Sequence, residues 1–338
     1  MNQYRWMCAA LVIASLGAAP AVQAQERLIL TSLVPPGVPH SAFYREWADR
    51  VNASSNGTLN IQVRDGATLA NFGNVYERTL DDVVQIGWVQ LPLVGGQFPL
   101  SSVTDLPFTS DGGENCSVAA WKLYESGLVD EEFADVVPLW FGCLGQNGMH
   151  FNQALESPTD LAGAKVRVNS ALAGQSVESA GGTPISMTVE NVYESLQRGT
   201  LDGAVTSWPA FAPQRVGEVT NYHLEVPVGS TISAFVMSRA RYDALPEEAK
   251  AALTEHSGEA MSRSMGRFID GLAANTRQSV SEDPEHTIVE LSEAEAEVWR
   301  TSLESVREAW VADNPGGGEE VVNFYLQAHE DAAAASAE

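Results

Sequence analysis

The sequence is short of positive charge: 19 Lys and Arg stand against 44 Asp and Glu, for a formal net charge of −25 at pH 7. A surface of that sign repels phosphate, which argues against nucleic acid or anionic lipid as a partner. Long apolar runs are also missing. A bilayer span needs about 20 consecutive apolar residues, and the only candidate, from Trp6 to about Gly17, is too short. Cysteine is sparse, with three in the chain, too few for a disulfide framework. Cys116 and Cys143 are read as small core residues, with pairing in an oxidising compartment as the alternative. The six histidines show no ligand spacing to one another or to a cysteine, so no zinc site is expected. No Gly-Lys-Ser/Thr follows the three glycines at 316–318, which read as a turn, and no Gly-x-Ser-x-Gly elbow occurs. Nothing reads as a catalytic site, and no cofactor or metal is expected.

What is present begins with a leader. Arg5, the apolar stretch and the small-residue pattern Val22-Gln23-Ala24 predict a secretory signal over residues 1–24, cleaved before Gln25. Cys8 follows Arg5-Trp6-Met7 rather than a small-residue lipoprotein pattern, so no lipid anchor is expected. The mature protein is then expected to be soluble, and its expected location is the periplasm. Residues 25–338 suffice for two domains of ordinary size. In so acidic a chain an anion site must be built against the protein's own field, which makes individual arginines informative.

Helix and strand patterns alternate along the chain. Residues 28–33 read as a buried strand. A helix from Ser41 carries Phe43, Trp47, Ala48 and Val51 at helical spacing, and Leu59, Ile61 and Val63 alternate as a strand. A second pass starts near Ser157, with strands expected at 164–168, 183–187 and 201–206 and helices at 171–180 and 189–196. This order is that of an α/β sheet. Tyr76-Glu77 and Tyr193-Glu194 each precede a turn and a strand at the same interval, a hint that the two passes are duplicated. From about Pro246 helix formers dominate, and these helices are expected to brace both halves.

The informative motifs are SPTDLAGAKVRV ending at Val168, GGTPISM ending at Met187, and VYESLQRGTLDG ending at Gly203, with GATL at 66–69 and the stretch from Phe98 to Phe108. Together they resemble the solute-binding subunits of tripartite ATP-independent periplasmic (TRAP) transporters, over nearly the whole mature chain. The resemblance implies a two-lobed α/β periplasmic binding protein, type II-like, with a ligand cleft between the lobes and long bracing helices. Lobe 1 is expected at 25–146 and 233–272, lobe 2 at 147–232 and 273–332, and a flexible tail at 333–338. It implies capture of a small organic acid by a monomer that closes over it and delivers it to the small and large membrane subunits. Alternatives are a binding protein of an ABC-type importer, a chemoreceptor partner, and a periplasmic enzyme on a related scaffold.

In that family the arginine ending the "KiR" strand binds the ligand's carboxylate, and here it is Arg167. A guanidinium offers a planar fork of donors matched to a carboxylate and keeps its charge. Asn147 stands where sialic-acid-binding members carry a second arginine, and Thr206 where they carry a carboxylate-contacting asparagine, which disfavours a sugar acid. Trp208 sits past a strand's carboxyl end, where open α/β sheets place ligands, or serves as a core or hinge residue. His150 is a candidate hydrogen-bond donor or a satisfied core histidine. Trp88 and Phe98 are candidate walls, and His40, in the first strand-to-helix loop, a candidate contact.

Overall fold

The computed structural model describes residues 25–155, 157, 159–187 and 189–336, so the expected leader lies outside the described residues. Ten strands form one continuous sheet: β1 Glu26–Thr31, β2 Leu59–Arg64, β3 Ile86–Gln90, β4 Val136–Phe151, β5 Lys165–Val168, β6 Thr183–Ser186, β7 Gly203–Ser207, β8 Tyr222–Leu224, β9 Ser230–Ser238 and β10 Thr287–Val289. Their order is β2-β1-β3-β9-β4-β7-β5-β6, with β8 on β4 and β10 on β8. β1 runs parallel to β2 and β3, and β5 runs parallel to β6 and β7. Parallel neighbours need a crossover. The helices Pro39–Ser54 and Ala171–Ser179 supply it between β1 and β2 and between β5 and β6. The order reads alike from both ends, with β1 and β5, β3 and β7, and β9 and β4 in matching places, and Tyr76 and Tyr193 lie on the matching helices Val75–Leu80 and Val192–Gln197. Duplication hinted at by those residues therefore has a topological counterpart.

The strand β4 holds the two halves together. Its first part pairs antiparallel with β9, from Val136↔Ser238 to Gln146↔Ser230, and its last part with β7, from Asn147↔Ser207 to Phe151↔Gly203. The register shifts between Cys143 and Gln146, where Gly145 takes φ +79°. The chain returns beside it through Gly229 at φ +85°, packed so close that a Cβ there would lie 2.2 Å from the Asp105 carbonyl oxygen. Expected lobe boundaries at 146/147 and 232/233 fall inside β4 and β9, and that at 272/273 falls inside the helix Gly258–Ser281, so these three elements are shared.

That helix braces the assembly as its composition predicts. Met261, Met265 and Ile269 are buried along one face, and Gly266 lets it approach the helix Gly113–Glu125 so closely that a Cβ would fall 2.4 Å from Glu114 Cα. Asp270 then accepts from the Gly113 and Glu114 amides at 2.6 and 2.9 Å, capping the neighbour's free N–H groups. The last helix runs Gly318–Ser336, and Ser336 Oγ donates to Glu114. Residues 333–336, expected as part of a flexible tail, thus continue the helix, and 337–338 lie outside the described residues.

Cys116 and Cys143 correct the reading of unpaired core residues: they form a disulfide, with Cα atoms 5.9 Å apart, and both are fully buried. Their separation of 27 residues joins the helix Gly113–Glu125 to β4. Sequence spacing does not carry this; helix-on-strand packing does. Closing a loop of this size removes about 3–4 kcal/mol of freedom from the unfolded chain. The double variant Cys116→Ala/Cys143→Ala is expected to lose roughly that much in urea unfolding of the oxidised protein. A loss below about 1 kcal/mol would show that the bridge does not restrain the unfolded state.

Candidate functional site

Arg167 is the only arginine or lysine in the buried set among the described residues, 6% exposed. In β5 it pairs with Ala204 of β7 and Ile185 of β6. Its guanidinium extends forward along the strand and donates from Nε to the Met187 carbonyl at 3.3 Å and from Nη1 to the Val205 carbonyl at 3.2 Å. None of the ion pairs among the described residues includes it. Burial pulls its pKa down to about 10, partly offset by the charge of Glu190, so the cation persists at neutral pH. A buried cation without an acid partner is costly, and an anion arriving beside it recovers that cost. The other arginines that might have supplied a second charge are neutralised: Arg45 pairs with Asp65, and Arg215 pairs with Glu218 and covers the Tyr193 ring at 4.4 Å.

Around Arg167 the carboxyl ends of β5 and β7 meet the crossing of β4 and β9. Asn147, 4% exposed, donates from Nδ2 to Thr231 Oγ1 at 3.3 Å, and Asn169 donates to the same hydroxyl at 2.9 Å. The carbonyl oxygen of Asn169 is buried and has no partner. Thr206, buried, places its hydroxyl 3.4 Å from Gln214 Oε1, while its backbone carbonyl accepts from His150 Nε2 at 3.3 Å. Asn169 and Thr231 are residues that sequence reasoning missed. Asn169 follows the recognised strand by one position, which is a usable signal, whereas nothing local marks Thr231.

His150 joins a chain of three histidines whose sequence separations conceal it. His150 Nδ1 lies 3.0 Å from His223 Nδ1, and His223 Nε2 lies 2.9 Å from His286 Nδ1. A carbonyl only accepts, so His150 carries its proton on Nε2 toward Thr206; Nδ1 then accepts from His223, and His223 Nε2 accepts from His286. Both ring nitrogens of His150 are thereby committed to protein partners. The outer end, His286, opens on a surface depression shared with Asn221 and Glu285. No group among the described residues has the donors to hold a metal ion. Trp208 packs on His150 with ring centroids 4.9 Å apart and is oriented by its indole N–H, which donates to Glu225 at 3.0 Å; Arg277 holds that carboxylate with two contacts of 2.8 Å.

His40, Trp88 and Phe98 separate into two groups. His40 and Trp88, 6% and 3% exposed, stack at 6.2 Å, with Phe268 edge-on to His40 at 5.1 Å and Tyr44 5.8 Å from Trp88. His40 Nδ1, Tyr44 Oη and Trp88 Nε1 are all buried without partners. Phe98 lies apart from them, packed on Tyr76 at 5.7 Å and Phe133 at 5.0 Å. The structure therefore brings His40 with Trp88, His150 with Trp208 and Thr206, and Asn147 with the end of the Arg167 strand, but does not join Phe98 to any of them.

The buried histidines fix a pH dependence. Burial holds His40 and His150 down to about 4 and His223 to about 3, against about 6.5 in an unfolded chain. Below about pH 6.5 the unfolded state takes up protons that the folded state refuses, so stability falls toward pH 4 by about 1.4 kcal/mol per pH unit for each histidine. Asp105 acts in the opposite sense: burial raises its carboxyl to about 7, so below pH 7 the folded state binds a proton that the unfolded state still releases. One of three contributions is offset. Urea unfolding at pH 7.5, 6 and 5 should show stability falling by about 3 kcal/mol per pH unit below pH 6. A flat profile would mean that these histidines are hydrated.

Residues 31–313 match the model of bacterial extracellular solute-binding protein, family 7. A TRAP solute-binding protein from a marine metagenome, specific for aromatic acid ligands and solved with 3-hydroxybenzoate, has 24% identity and a TM-score of 0.84, over 91% of this chain and 98% of its own. One from Rhodoferax ferrireducens with copurified benzoate has 24% identity and a TM-score of 0.85, over 92% and 100%. One from Bordetella bronchiseptica with bound (R)- and (S)-mandelate has 22% identity and a TM-score of 0.81, over 90% and 99%. With a two-lobed fold shared over nine-tenths of its length and the family match covering both halves of the sheet, the chain belongs to family 7 of the bacterial extracellular solute-binding proteins, the solute-binding subunits of TRAP transporters.

Proposed function

We propose that the protein, after removal of residues 1–24, captures a small monocarboxylate with a compact or aromatic body in the periplasm and, as a monomer, delivers it to the small and large TRAP membrane subunits. The observation that carries this is Arg167, a buried guanidinium with no acid partner at the carboxyl ends of β5 and β7. One unpaired charge matches one carboxylate. A dicarboxylate needs a second cation, and Arg45 and Arg215 are already occupied by acids. The ring cluster of His40 and Trp88 supplies apolar wall with isolated polar atoms for a ligand body, as concave ligand sites generally do. The ligands named for the three similar structures, 3-hydroxybenzoate, benzoate and mandelate, are all aromatic monocarboxylates and favour the same class. A fixed cation among hydrogen-bonding groups is suited to binding and release, and no reaction is assigned.

A panel of thermal shifts with benzoate, mandelate, pyruvate, succinate and sialic acid is expected to single out the compact monocarboxylates benzoate, mandelate or pyruvate over the dicarboxylate succinate and the polyhydroxylated sialic acid. For an acid so identified, calorimetry on Arg167→Ala should show a loss of about 2–5 kcal/mol, roughly 30-fold to several thousand-fold in Kd. Arg167→Lys should also bind poorly, because the fork is lost while the charge remains. Affinity of Arg167→Ala within about threefold of the parent would remove the arginine from the site.

A further inference from the structure

The cluster of Asn147, Asn169 and Thr231 is left incomplete. Two amides point at one hydroxyl: Asn147 Nδ2 at 3.3 Å and Asn169 Nδ2 at 2.9 Å from Thr231 Oγ1. Thr231 finds no acceptor for its own proton among the described residues, and the far end of the Asn169 amide is buried without a partner. The two ends of that amide are nearly the same size. Turned over, its carbonyl accepts the Thr231 proton and its NH2 becomes the unsatisfied end. In either orientation one polar end is buried and unmet, a cost that native structures rarely carry without a reason.

The place of this cluster supplies the reason. Arg167 pairs with Ala204 and Val168 with Ser186, yet the guanidinium reaches the carbonyls of Val205 and Met187, each one residue further on. The charge therefore sits at the level of the strand end, where Asn169 follows. Thr231 belongs to β9, at the crossing of the two halves, so the Asn169 contact also spans them.

We propose that Asn169 and Thr231, backed by Asn147, form a subsite for a hydroxyl next to the ligand's carboxylate, which makes a 2-hydroxy acid the preferred class. This rests on the monocarboxylate reading above. A hydroxyl both donates and accepts, so it satisfies the unmet amide end in either orientation and can also take the Thr231 proton. A hydrogen in that position satisfies neither.

The test compares matched acids, mandelate with phenylacetate and lactate with propionate, by calorimetry on the parent protein and on Asn169→Ala. The parent is expected to prefer the hydroxylated member of the pair it binds by about tenfold or more, the effect of one unmet buried polar group. Asn169→Ala should reduce that preference to within about threefold while still binding the deoxy acid. Thr231→Val gives a second reading if the first variant does not fold, and should weaken the same preference. Equal affinity for hydroxy and deoxy acids in the parent overturns the subsite and leaves the monocarboxylate reading standing. An unchanged preference in both variants overturns it as well. If no monocarboxylate binds the parent, both the reading and the subsite that rests on it fail.

Discussion

The structure is organised around one unpaid charge, the guanidinium of Arg167 buried in a protein that carries −25 overall. With so many carboxylates available, an internal ion pair would have been the easy solution, and elsewhere the chain adopts it: Arg277 holds Glu225, while Arg263 and Arg267 share Glu114. At Arg167 the acceptors among the described residues are the backbone carbonyls of Met187 and Val205. Two neutral acceptors orient a guanidinium without cancelling its charge. This is what an anion site in an acidic protein requires, since the acidic surface acts over distances that salt screens, whereas a buried cation acts locally.

The sheet topology ties the two halves together beside the same residue. Because β4 runs unbroken from one half to the other, the halves are tied by covalent chain at their crossing and rigid separation is excluded. Relative motion has to be taken up by backbone torsions near the crossing, where Gly145 and Gly229 already occupy conformations that side-chain-bearing residues avoid. The close approach of Gly229 to the Asp105 backbone limits how that crossing can move. The same crossing is where Thr231 and Asn169 touch.

Much of this was legible in the sequence, and the exceptions share a cause. Alternating helix and strand patterns locate the elements, and the KVRV strand with its neighbouring motifs marks Arg167, because those signals are local. Boundaries shift by a few residues: the first helix opens at Pro39 rather than Ser41, and the strand expected at 201–206 runs Gly203–Ser207. What stayed hidden depends on contacts between distant residues. The Cys116–Cys143 bridge needs the packing of a helix on β4, and the three histidines meet only because β4, β8 and β10 are adjacent, although their spacing in the chain argued against any shared site. Trp208 and Phe98 show the limit of composition: both are aromatics near strand ends or loops, yet one is fixed by a hydrogen bond to Glu225 beside the histidines and the other fills the first-lobe core.

The histidine chain and the asparagine cluster are most informative when set side by side. The histidine chain is closed: every inner nitrogen has a partner, the proton on each ring is dictated by the Thr206 carbonyl, and burial keeps the inner two rings neutral. Such a network gives shape to β4, β7 and β8 without adding a second cation near Arg167. The asparagine cluster is open, with one amide end and one hydroxyl proton unanswered a short distance along β5. Satisfied buried groups specify a fold, whereas unsatisfied ones raise the free energy of the empty state and reward whatever completes them. By that criterion His150 belongs to the scaffold that holds Thr206 in place, and Arg167 with Asn169 to the proposed ligand surface.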